Sequence, residues 1–142
     1  NDLRLNAGSA NRDVFLQVND TTHCTIQGST GNLQFNSGYG SVATAFGVRA
    51  WANFNGSGTV ASDFNGGGVT SMVDLGEGQY RVNFSTAMPD TNYCMVEGCS
   101  NGSTSPRIAC QQDKTTALYE FKTRTDANSL NDAQYGQIAF IR

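Results

Sequence analysis

The sequence predicts an all-β protein, a short intertwined β-stem followed by an antiparallel β-sandwich head, and three observations predict it. Gly, Asn, Ser and Thr, which favour turns and short strands, outnumber the helix-supporting Lys, Glu and Leu. No amphipathic stretch of 3.6-residue period occurs. Apolar residues instead alternate with polar ones in runs bounded by Gly, Asn and Asp, as in strands with one buried face.

Residues 1–44 read as very short strands at a spacing of about ten residues. Leu3 and Leu5 are followed by Val14, Leu16 and Val18, then by Cys24 and Ile26, then by Leu33 and Phe35. Two or three apolar side chains per strand are too few to offset the ordering entropy of the segment. Such strands need partners, and other copies of the chain supply them economically. Three copies around one axis would turn the rows into a common interior and cover the strand edges. This part is the expected trimeric stem.

Residues 45–142 read as eight longer strands joined by loops, a number that suits a β-sandwich or small barrel. In Gln79-Tyr80-Arg81-Val82-Asn83-Phe84-Ser85, the residues Tyr80, Val82 and Phe84 share one face, which predicts a half-buried strand with that face inward beside Phe54. Similar alternation marks Val48–Phe54, Thr59–Phe64, Val69–Val73, Tyr93–Glu97, Arg107–Gln111, Leu118–Lys122 and Gln137–Ile141. Turns are expected at Asn55–Gly58, Asn65–Gly68, Gly76–Gly78 and Met88–Asp90.

Composition excludes several functions. With 142 residues, 15% of them charged, and a net charge of -3, no basic surface exists to neutralise a run of phosphates, so nucleic acid is not an expected partner. No apolar run approaches the roughly 18 residues needed to cross a bilayer. The chain opens on Asn1 and is patterned from its first residues, and is read as the end of a longer polypeptide.

Motifs that carry chemistry elsewhere find no support here. Gly98-Cys99-Ser100-Asn101-Gly102 fits the nucleophile-elbow spacing, but a loop follows it where a helix is required, and the one histidine, His23, lies in the stem. Gly38-x-Gly40-x-x-Ala43 and Gly56-x-Gly58-x-x-Ala61 match a relaxed dinucleotide fingerprint without opening a helix. Asp126 to Asp132 gathers oxygens that could ligate a hard cation, yet lacks the glycine and distal glutamate of a calcium loop and reads as a solvated loop. No enzyme, cofactor or metal site is expected. A hairpin closed symmetrically about Gly102 would set Cys94 opposite Cys110, within reach of a disulfide, while free buried thiols are the reading for a reducing compartment. Trp51, on the strand face opposite Ala50, Ala52 and Phe54, is either inter-subunit packing or a sugar-stacking platform.

At Ala50-Trp51-Ala52-Asn53-Phe54-Asn55-Gly56-Ser57-Gly58-Thr59-Val60 the sequence resembles a segment recurring in phage tail-fibre proteins, including the fibres of short-tailed marine phages. Asp74 to Tyr93 is similar to the block that follows it there. The two blocks cover about a third of the head. The resemblance implies a homotrimeric virion protein assembled in the host cytoplasm, whose head attaches to a receptor on the host surface, with glycan the leading class. Rival readings are a purely structural trimerisation cap or capsid fibre, and a polysaccharide-degrading tailspike. If the head strands alternate in direction, the loops Asn55–Gly58, Leu75–Gly78, Cys99–Ser105 and Thr125–Ala133 share one end, remote from the stem. Asn101, Arg107, Asp126, Asn128 and Asn131 are therefore the candidate receptor residues, with Trp51 and Tyr119 on the sides of the head as the alternative.

Overall fold

A computed structural model describes residues 12–35, 43–45, 47–102 and 105–142. The row at Leu3 and Leu5 and the motif at Gly38 and Gly40 lie outside these. Among the described residues the chain is all-β, with twelve strands and no helix. It divides into two compact units, the first ending at Phe46 and the second running from Gly47 to Arg142.

The first unit holds a four-stranded antiparallel sheet of β1 (Val14–Val18), β2 (Thr21–Ile26), β3 (Leu33–Phe35) and β4 (Ala43–Thr44), in that order. Its turns follow local chemistry. Asn19 and Asp20 take the left-handed backbone conformation that short polar side chains tolerate, and the Asp13 carboxylate accepts the Gly28 N–H at 3.0 Å. Among the described residues of this unit Thr25 is the one that is buried, and no apolar side chain is.

The second unit is one eight-stranded sheet. Its strands are β5 (Val48–Phe54), β6 (Asn65–Gly67), β7 (Val69–Gly76), β8 (Gln79–Phe84), β9 (Cys94–Asn101), β10 (Ser105–Lys114), β11 (Leu118–Arg124) and β12 (Tyr135–Ile141). The order is β6-β5-β12-β9-β10-β11-β8-β7, and every pair is antiparallel. The two ends of that order, β6 and β7, are joined through Gly68 alone, so the sheet nearly closes on itself as a small barrel. Gly68 has φ of 70°, and a Cβ there would lie 2.4 Å from the Arg49 carbonyl oxygen, so glycine is required at the join.

Alternation along the strands fills the interior. Ala50, Ala52 and Phe54 of β5 meet Tyr80, Val82 and Phe84 of β8, Tyr119 and Phe121 of β11, and Ile138 and Phe140 of β12. The expected inward face of Tyr80, Val82 and Phe84 beside Phe54 is present. Phe54, Tyr80 and Phe121 form one aromatic cluster with ring centroids 5.2–5.9 Å apart, and Phe84 packs edge-on against Tyr93 and Phe140. The Tyr93 hydroxyl donates to the Thr115 carbonyl at 2.8 Å, so its burial leaves no polar atom stranded.

Three details depart from the sequence reading. Thr59–Phe64 is not a strand: the Ser62 and Asp63 N–H groups both donate to the Thr59 carbonyl, and Asp63 accepts the Thr59 N–H, folding the segment into turns. Asn65–Gly67, expected as a turn, is the edge strand β6. The β9–β10 hairpin pairs Asn101 with Ser105 and Cys99 with Arg107, then ends, so Cys94 does not face Cys110. All four cysteines are free thiols, but none is buried as expected: Cys94 and Cys110 are exposed, and Cys24 and Cys99 are only partly covered.

Candidate functional site

Strand direction alternates from β5 onward, and hydrogen bonds tie the expected loops together at one end of the second unit. The Gly56 N–H donates to the Ala133 carbonyl, the Gly78 N–H to Asp132 Oδ1 and the Asn131 amide to Glu77. Tyr80 fastens this end from within, its hydroxyl donating to Asp132 at 3.0 Å and accepting the Ala133 N–H at 3.2 Å. Burial raises the Tyr80 phenol above its ordinary range, so it remains a neutral donor. Residues 47 and 142 meet at the opposite end, where the Arg142 N–H donates to the Gly47 carbonyl.

Of the candidate residues, the structure joins Arg107 to Asn131, the guanidinium donating to Asn131 Oδ1 at 2.6 Å and to the Asp132 carbonyl. Both are half-buried and hold the loops to β10. Asp126 and Asn128 are exposed in a turn closed by bonds between Thr125 and Ser129; Asp126 accepts the Ala127 N–H, and Asn128 has φ of 64°. Asn101 is exposed at the same end. Tyr119 must be corrected: it is 2% exposed, on the inward face of β11 against Tyr93 and Phe140, and offers nothing to a partner.

Trp51 lies elsewhere, on the outer face of the barrel wall formed by β5, β12 and β9. There Trp51, Ala139 and Val96 form one cross-strand row, and Asn53, Gln137 and Gly98 form the next. The indole leans towards β6, where a Cβ on Gly67 would lie 2.6 Å from its Nε1. Small residues occupy the floor: Ala139 carries one methyl, and the space above Gly98 is open, with nothing within 4 Å of a Cβ placed there. The result is a shallow depression of about 470 Å³, towards the lower end of small-molecule sites, lined by Trp51, Asn53, Val96, Gly98, Gln137 and Ala139 together with Ala52, Glu97 and Ile138.

The two rows carry no ionisable side chain. Glu97 alternates inward, where its carboxylate accepts the Ala109 N–H and lies beside Cys99, whose thiol burial and Glu97 push up to about 12. Charge gathers instead on the outside of β8 and β11, where Arg81 and Glu120 pair at 2.6 Å. Trp51 is 43% exposed and flanked by amides, so the depression can stack one face of a flat or ring-shaped ligand and exchange neutral hydrogen bonds with its edge. The sequence reading did not single out Asn53, although alternation sets it on the same strand face as Trp51. It could not reveal Gly98, Gln137 and Ala139, because their meeting depends on the strand order β5-β12-β9.

No protein-family profile matches the chain, and no curated protein matches its sequence. A solved structure, the phiAB6 tailspike in complex with three-repeated oligosaccharides of Acinetobacter baumannii surface polysaccharide, is similar in fold, with a TM-score of 0.62 at 13% identity. The likeness covers 99% of this chain and 30% of that one, so the chain spans less than a third of the tailspike's length.

Proposed function

We propose that this chain is the receptor-binding part of a phage tail fibre or spike, that it acts as a homotrimer on the virion, and that it attaches to a saccharide of the host surface without cleaving it. The observation that carries the reading is the neutral depression on the β5-β12-β9 face, where an exposed indole lies beside the side-chain amides of Asn53 and Gln137. Pyranose rings present an apolar face and a rim of hydroxyls, which these groups complement. The likeness in fold to part of a tailspike bound to surface oligosaccharides supports the same ligand class. Glycoside hydrolysis ordinarily uses two carboxylates across the scissile bond, and the side chains lining the depression provide none on its open face. The loop end, with Asn101, Asp126 and Asn128 exposed, is the second reading for the contact surface.

The test is equilibrium binding of the purified chain to the capsular polysaccharide of the bacterium that the parent phage infects, with a reducing-end assay in parallel. Binding without release of reducing ends is expected. Trp51→Ala should weaken single-site affinity up to about tenfold, the upper range for one stacking contact. Full affinity in Trp51→Ala and Gln137→Ala, with loss in Asn101→Ala or Asp126→Ala, would move the site to the loops.

A further inference from the structure

We infer that the depression is one end of a longer track, in which a run of about three neutral sugar rings lies along β12 with Tyr135 as a second stacking platform. The inference rests on the saccharide reading above and adds to it a residue, a direction and a ligand length. Two aromatic side chains of the second unit are widely exposed, Trp51 at 43% and Tyr135 at 57%. Tyr80, Tyr93 and Tyr119 lie in the interior, held by hydrogen bonds or ring contacts. Tyr135 makes no such contact among the described residues, so its ring is free to meet a ligand.

Strand register puts the two exposed rings on one face. Tyr135, Gln137 and Ala139 alternate along β12 with the buried Gly136, Ile138 and Phe140, so all three point outward. Ala139 is the cross-strand neighbour of Trp51. Tyr135 lies further along β12, opposite Ser100, which in turn faces Pro106. The four residues of strand rise from Ala139 to Tyr135 span about 14 Å, so a sugar on each platform leaves room for about one more between them. That middle position lies over Asn53, Gln137 and Gly98, two amides that exchange hydrogen bonds with hydroxyls and a glycine whose outer side is open.

Side-chain chemistry along this line selects the ligand. Between Trp51 and Tyr135 the outer face carries Asn53, Gln137 and Gly98, with Ser100 beside Tyr135, and none of these is ionised. A carboxylated or amino sugar seated there would shed water without meeting an opposite charge, whereas the hydroxyls of a neutral hexose find amide and hydroxyl partners. The track runs towards the loop end, because β12 begins at Tyr135, just past Asp132 and Ala133. A saccharide that starts on Trp51 is thereby led to Ser100 and the exposed Asn101. Tyr135 joins the depression and the loop end into one contact surface.

The test measures affinity for fragments of the host capsular polysaccharide, cut by partial acid hydrolysis and sized to two and to four sugar rings. The unaltered chain should bind the longer fragment about fivefold to tenfold more tightly than the shorter, the gain expected of one further stacking contact. The chain has a single tryptophan, so indole fluorescence reports whether each fragment occupies Trp51. Tyr135→Ala should bring the affinity ratio close to one, and Tyr135→Phe should keep most of it. Lys122→Ala, on the outer face of β11, should keep it whole. Tyr135→Thr, which suits a strand, repeats the measurement if the alanine lowers Tm. A ratio near one in the unaltered chain, a ratio that survives in a folded Tyr135→Ala or Tyr135→Thr, or a four-ring fragment that fails to bind where the whole polysaccharide does would overturn the track and leave the functional reading standing. Absence of binding by the polysaccharide and both fragments would overturn the functional reading, and the track with it.

Discussion

The substitution Gly98→Val fills the depression from its floor and should do so at no cost to the fold. A Cβ at this position meets nothing within 4 Å, and the backbone there is outside the left-handed region that would demand glycine. Glycine inside a strand is unfavourable by about 0.5–1 kcal/mol relative to alanine, and β-branched residues lie at the favourable end of a strand scale about 1 kcal/mol wide. Replacing it should therefore stabilise the second unit by about 1 kcal/mol. For a unit of about 100 residues this raises Tm by about 4–8 °C. The isopropyl group at the same time stands between Val96 and Gln137, where a ring stacked on Trp51 would rest. Affinity should fall at least tenfold, about 1.4 kcal/mol. Calorimetry and equilibrium binding to the host polysaccharide measure the two effects independently. A Tm lowered by several degrees would show that the floor is not open, and undiminished binding by the folded variant would show that the ligand sits elsewhere.

Three further outcomes follow from the interior. Tyr80→Phe removes the hydroxyl shared by Asp132 and the buried Ala133 N–H, and should cost about 1–3 kcal/mol in urea unfolding; a change under about 0.5 kcal/mol would mean that this hydroxyl does not pin the loops. Gly136→Ala sets a Cβ 2.2 Å from Phe54 Cζ, so it should destabilise by about 1–3 kcal/mol, with Phe54→Leu in the same chain restoring part of the loss. Cys99, its thiol pushed up to about 12, should resist iodoacetamide at pH 8.5 while the exposed Cys94 and Cys110 react, as peptide mapping would show. Unfolded, that thiol ionises near its ordinary value of about 8.5. Below that pH both states keep the proton and stability is flat. Above it only the unfolded chain releases one, so stability falls from about pH 9 towards 12. Tyr93, also pushed up to about 12, adds to the fall above about pH 10. Urea midpoints unchanged up to pH 11 would contradict the burial of both groups.

Strands with one wet and one dry face were legible because burial imposes a period of two. Val48–Phe54 was read with the bounds that β5 has, and the inward set of β8 was identified residue by residue. Thr59–Phe64 shows the same alternation but folds through side-chain bonds of Asp63, which hydropathy does not register. In β6 the glycines that signalled a turn are needed for close approach, since a Cβ on Gly66 would lie 2.4 Å from the Trp51 carbonyl. Tyr119 was taken for a surface residue although Phe121 shares its face, and that face is the interior. Trp51 was singled out from the sequence, but apart from Ala52 and Asn53 the residues around its depression come from two strands more than forty positions away, and only strand order brings them together.

The near-closure of the second unit bears on crowding. An open sheet ends in rows of unpaired N–H and C=O groups that template the addition of strands from neighbouring molecules. Here one terminal strand is only three residues long and two of those are glycine, and it passes into the other terminal strand through Gly68. At that end of the sheet a neighbouring copy therefore finds almost no backbone on which to add a strand, which leaves the outer edge of β7 as the longer of the two terminal edges at which crowded copies could meet.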